Sequence, residues 1–163
     1  MHYSKEKIKL LAKALKSLEV VLTEPYSNIV RDATIQRFEF TFELLWKSVK
    51  IFLREEKNIN CDYPKNCFRE LRGVLGLSER DIETCLEMCD SRNVSVHLYS
   101  ENMARALFLR IKKYFEVSKL IYELLKKYGY VKILPYNCDC LCKRCAAYWA
   151  RAGSGTGRCD FQV

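Results

Sequence analysis

Residues that break helices are scarce. The chain has 163 residues, of which six are glycine and three proline, and only Pro25, Pro64, Gly73 and Gly76 interrupt positions 1–128. Long helices can therefore run with few interruptions. Long apolar runs are missing as well. No stretch approaches the ~18 uninterrupted apolar residues that a membrane-spanning helix needs, and Met1 to Lys7 lack the apolar core of a signal peptide. These absences disfavour secretion and membrane insertion, and the expectation is a cytoplasmic protein. A phosphate loop is also wanting, because Gly153-Ser154-Gly155-Thr156-Gly157 has neither the lysine nor the following helix of a P-loop. That segment reads as a linker.

Against these absences stand a basic charge balance and many cysteines. Lys plus Arg number 28 and Asp plus Glu 20, for a net charge of +8, which makes a polyanion a natural partner without naming it. The nine cysteines are expected to be thiols or metal ligands in a reducing compartment, not disulfides.

Between positions 1 and 128 the apolar residues recur at steps of three and four, the period of amphipathic helices. Ile8, Leu11, Leu15, Leu18 and Leu22 form one stripe, and a first helix is expected over about 4–23, ending before Pro25. A long central helix from Arg31 to about Lys57 carries Ile35, Phe38, Phe42, Leu45, Val49 and Phe52 inward, with Glu39, Glu43, Lys47 and Lys50 on the opposite face. Phe40, Leu44, Trp46, Ile51 and Leu53 widen its apolar surface, so neighbours on two sides are expected, one of which can be a second subunit. Shorter helices follow at about Pro64 to Val74, with proline at a favourable first-turn position, and Ser78 to Cys89, opened by a capping box at Ser78 and Asp81. Cys85 and Cys89, and likewise Cys61 and Cys67, read as small core residues. The last helix begins near Ser100, buries Met103, Leu107, Ile111, Tyr114, Ile121 and Leu125, and is expected to stop at Lys126 and Lys127 before Gly129. The fold class is therefore all-α, an up-and-down bundle of four or five helices over residues 1–130. Residues 131–163 form an irregular cysteine-rich extension.

Within that extension, Cys138, Cys140, Cys142 and Cys145 lie within eight residues, and thiolates are good zinc ligands. The crowded C-x-C-x-C spacing and the lack of a second, well-separated pair make this a weak metal site, and no cofactor is expected.

The segment richest in polar chemistry is Asp90-Ser91-Arg92-Asn93-Val94-Ser95-Val96-His97-Leu98-Tyr99, between the fourth and last helices. Arginine offers a positive fork for a phosphate, histidine moves protons near neutral pH, and serine, asparagine and tyrosine can orient a substrate. Such a set suits phosphodiester cleavage. On an ideal helix Arg92 and His97 would point ~140° apart, so convergence needs a helix break, the reach of the arginine, or the same segment from a second subunit. The other reading is a buried polar network that locks the helix junction.

Arg-x4-His-x-Tyr, at Arg92, His97 and Tyr99, resembles the signature of the HEPN superfamily, specifically the HepT toxins also described as nucleotidyltransferase substrate-binding proteins. Residues 31–47, RDATIQRFEFTFELLWK, resemble the long second helix of that family, and the similarity covers about residues 4–128, with Ser95 where threonine is expected. The resemblance implies a homodimer in which facing Arg–His motifs form a metal-independent RNase site. In it His97 acts as general acid or base, Arg92 stabilises the phosphorane, and Asn93 and Ser95 are supporting contacts. It also implies a nucleotidyltransferase antitoxin as partner, which transfers AMP to Tyr99. The alternative is a non-catalytic substrate-binding subunit of that nucleotidyltransferase. This chain is not itself the transferase, for it has no Asp-x-Asp pair to hold metal ions.

Overall fold

In the computed structural model, which describes residues 2–95 and 100–131 and the side chains of 6–95 and 100–128, five helices follow one another. They are α1 (His2–Leu22), α2 (Asn28–Lys57), α3 (Pro64–Leu75), α4 (Glu79–Ser95) and α5 (Glu101–Val131). The all-α bundle expected from the periodicity is present, and among the described residues there is no strand.

Local chemistry accounts for the helix ends. Ser27 caps α2 from an extended conformation, its hydroxyl accepting from the Val30 amide. This adds a turn to the expected start at Arg31. Asn58 ends α2 in the left-handed region at φ 53°, a conformation that asparagine tolerates better than most residues. Pro64 sits in the first turn of α3 and Gly76 closes that helix at φ 69°, where a side chain would be strained. Ser78 precedes α4; its hydroxyl accepts from the Asp81 amide at 3.2 Å and donates to the Asp81 carboxylate at 2.6 Å. Ser100 likewise receives the Met103 amide at 3.3 Å before α5.

Contacts along the helices set their directions. Arg37 of α2 donates to the Ser17 carbonyl of α1 at 2.7 Å, while Phe52, further along α2, shares a groove with Ile8, nearer the start of α1. The two helices are therefore antiparallel. On α4 and α5, Ser91 pairs with Tyr114 at 2.8 Å and Met88 with Ser118 at 3.6 Å, which makes that pair antiparallel too. The core runs through Leu11, Leu18, Phe38, Leu45, Val49, Phe68, Leu71, Met88, Ile111, Tyr114 and Ile121. The Tyr114 hydroxyl is buried there and is satisfied by Ser91.

Four expectations are corrected. α4 does not stop at Cys89 but continues to Ser95, since nothing from Asp90 to Ser95 is a glycine or proline. α5 runs through Gly129 to Val131, because an isolated glycine costs a helix only ~1 kcal/mol. Met103 is 42% exposed rather than inward. Cys61 and Cys67 are buried in the core as expected, but they are joined by a disulfide, with Cα atoms 5.3 Å apart. Sequence offers no sign of that pairing, which depends on the path of the α2–α3 loop.

Candidate functional site

The last turns of α4 lie against the middle of α2, and the meeting is electrostatic. Glu39 and Glu43, one helical turn apart on α2, both face the Arg92 guanidinium: Nη1 stands 3.7 Å from Glu39 and Nε 3.8 Å from Glu43. These distances are ion pairs beyond hydrogen-bond length, and Arg92 Nε is buried with no hydrogen-bond partner among the described residues. Ser95 completes the cluster. Its hydroxyl donates to Glu39 at 2.5 Å and lies 2.8 Å from the Arg92 carbonyl. Glu43 also accepts the Trp46 indole N–H at 3.1 Å and pairs with Lys47 at 3.2 Å.

Two cavities flank this cluster. One, of about 450 Å³, is lined by Arg31, Ile35, Gln36 and Glu39 of α2, by Ser95, and by Ser100 and Glu101 at the start of α5. Arg31 is only 8% exposed and pairs with Asp32 at 2.8 Å and Glu101 at 3.4 Å; the hydrogen bond to Asp32 holds its charged form more firmly than usual. The other, of about 550 Å³, is lined by Arg92 and Asn93 together with Trp46, Tyr63 and Arg69.

Of the residues expected to act together, Arg92 and Asn93 share one cavity, and Ser95 is tied to Arg92 through Glu39 but opens on the other. His97 and Tyr99 lie outside the described residues, as do Cys138, Cys140, Cys142 and Cys145. Ser95 and Ser100, the described residues that flank the histidine and tyrosine, both line the 450 Å³ cavity. Spacing alone puts Glu39 and Glu43 on the solvated face of α2; instead they anchor Arg92. Their i, i+4 separation is the available signal, since it aims two carboxylates in one direction.

Among the described residues, no group of three or more His, Cys, Asp or Glu could hold a metal ion. Cys85 and Cys89 are free thiols, but burial pushes both up to about 12, so neither is a nucleophile near neutral pH. No helix of the described residues is long and apolar enough to cross a membrane.

The pattern described as nucleotidyltransferase substrate binding protein like matches residues 6–127. A solved structure from Thermus thermophilus is 38% identical, covers 71% of this chain and 98% of its own, and superposes with a TM-score of 0.67. A tri-AMPylated HEPN toxin of Shewanella oneidensis in complex with its MNT antitoxin is 15% identical over 76% of this chain and 96% of its own, with a TM-score of 0.63. A toxin–antitoxin structure with AMP-PNP is 13% identical over 75% and 96%, with a TM-score of 0.62. At those identities, the last two speak to the fold alone. No curated protein matches the chain. The match over most of the chain, on a five-helix bundle of this topology, makes it a member of the nucleotidyltransferase substrate binding protein like family, within the HEPN fold.

Proposed function

We propose that the chain is the toxin of a toxin–antitoxin pair, a metal-independent endoribonuclease held in check by a nucleotidyltransferase. The observation that carries this reading is Arg92, which lines a cavity and, among the described residues, meets Glu39 and Glu43 at ion-pair distance only. A guanidinium so placed can turn its fork toward a phosphate, which offers the short, bidentate bonds that the two glutamates do not. In the reaction a ribose 2′-oxygen attacks the adjacent phosphorus and the 5′-oxygen leaves. One basic group takes the 2′-OH proton and one acid protonates the leaving 5′-oxygen. His97 fills one of these roles, and the symmetry-related histidine of a second copy can fill the other. Arg92 neutralises the charge that builds on the phosphorane, while Asn93 and Ser95 position the surrounding groups. The products are a 2′,3′-cyclic phosphate and a 5′-hydroxyl.

Restraint follows from the same chemistry. The Tyr99 hydroxyl attacks the α-phosphorus of ATP on the partner enzyme, pyrophosphate leaves, and Tyr99 carries AMP. The new phosphate competes with RNA for Arg92 and fills the cleft. The complex of an AMPylated relative with its antitoxin supports this step.

Purified protein should cleave RNA equally in EDTA and in magnesium, leaving cyclic phosphate ends. His97→Ala should abolish cleavage, since loss of a proton-transfer group costs ~10²–10⁴ in rate, and Tyr99→Phe should cleave normally but resist modification by the partner. Cleavage that requires a divalent ion would contradict the mechanism. The family's description favours a second reading, a binding subunit that presents a substrate to the transferase. A parent protein that binds RNA or accepts AMP but cleaves no RNA in any condition would decide for it.

A further inference from the structure

The cavity of about 550 Å³ beside Arg92 holds several side chains that the cleavage chemistry does not use. Tyr63 stands on its wall at the start of α3, 71% exposed, in extended backbone and with no capping hydrogen bond from its side chain. Trp46 lines the same cavity, half-buried, with its indole N–H fixed on Glu43 at 3.1 Å and the Lys47 ammonium 5.9 Å from its ring. The cations differ in how far their charge is already matched. Lys65 is bound to Asp90 at 2.6 Å and Arg92 faces two glutamates, whereas exposed Arg69 contacts the Asn66 side-chain oxygen at 3.2 Å and meets no carboxylate among the described residues. Asn66 and Asn93 add exposed amides to the same cavity.

Two aromatic surfaces, an unmatched arginine and two amides, all beside the arginine assigned to the scissile phosphate, form a combination suited to an extruded nucleobase. Aromatic rings stack on any base, amides bond base edges, and arginine takes the neighbouring phosphate. A base stacked and paired within a duplex cannot reach such surfaces. We infer that this cavity is a subsite for an unpaired base of single-stranded RNA next to the bond that is cut, with Tyr63 and Trp46 as stacking surfaces and Arg69 as its phosphate contact. The inference deepens the nuclease reading and rests on it.

The test uses the full-length chain and a fluorescein-labelled ten-nucleotide single strand, 2′-O-methylated so that it cannot be cut, read by fluorescence anisotropy. Tyr63→Ala and Arg69→Ala should each weaken binding about tenfold, while Tyr63→Phe should stay within twofold of the parent. A hairpin duplex should compete poorly. In a Trp149→Phe background, in which Trp46 is the remaining tryptophan, saturation with the strand should quench its emission. Both targeted side chains are exposed, and an unchanged melting temperature would confirm that the losses are local. If the parent binds the strand while Tyr63→Ala and Arg69→Ala bind equally well and Trp46 emission does not move, the subsite is wrong and the nuclease reading survives. If the parent binds no strand at all, the nuclease reading fails and the subsite with it. Should free AMP bind as tightly as the strand with the same quenching, the cavity is a mononucleotide site and the RNA assignment is overturned.

Discussion

On the proposed mechanism Arg92 would carry two jobs that a substitution can separate. Its pairs with Glu39 and Glu43, at 3.7 and 3.8 Å, are long and partly open to solvent, and such pairs contribute about 1 kcal/mol or less. In a domain of this size a loss of that order moves the melting temperature by a few degrees. Removing a group that stabilises transition-state charge instead costs ~10²–10³ in rate. Arg92→Ala should therefore melt within a few degrees of the parent yet lose at least a hundredfold in RNA cleavage. Arg92→Lys should restore the melting temperature but little of the rate, because an ammonium gives charge without the planar fork. Thermal melts beside single-turnover cleavage check both. Collapse of the Arg92→Ala fold would mean that the glutamates, and not a phosphate, are the partners for which this arginine is placed.

At the scale of elements, most of the architecture is legible in the sequence and the exceptions share one cause. The stripes on α1 and α2 bury the residues that the period picks out, from Leu11 to Leu18 and from Ile35 to Phe52, because helical packing follows directly from spacing. What spacing cannot give is how one element meets another. Glu39 and Glu43 look like solvent-facing residues until α4 crosses them, and α4 reaches them only because it continues past Cys89 to Ser95. The Cys61–Cys67 bond is of the same kind, set by the loop between α2 and α3. Its consequence is measurable. Closing a loop this short restricts the unfolded chain by about 2 kcal/mol, so a reductant should lower the melting temperature by several degrees. Cys61→Ser should start at the lower value and ignore the reductant. A parent that melts identically with and without reductant would show that the bond does not form in solution.

For the whole molecule, the proposed mechanism calls for two copies to make one site. The described bundle offers a surface for a second copy: Val94 and Met103, 47% and 42% exposed, line a groove between α4 and α5 with Ala106 and Arg110. A two-fold axis through this groove would bring two copies of the α4 terminus together. On the proposed mechanism the second copy contributes the other histidine, so such a meeting would complete the site. We therefore expect a dimer by light scattering at micromolar concentration. Val94→Asp with Met103→Asp should yield a monomer with an unchanged helical spectrum, because both side chains are already half in solvent and a charge on each opposes burial at an interface. That monomer should bind RNA weakly and fail to cleave it. Deleting residues 132–163 should leave both the dimer and its activity intact, since the buried stripe of α5 is complete by Leu125. A parent that is monomeric and still cleaves RNA would place the whole reaction within one chain. Arg92 would then have to work with a histidine on its own copy.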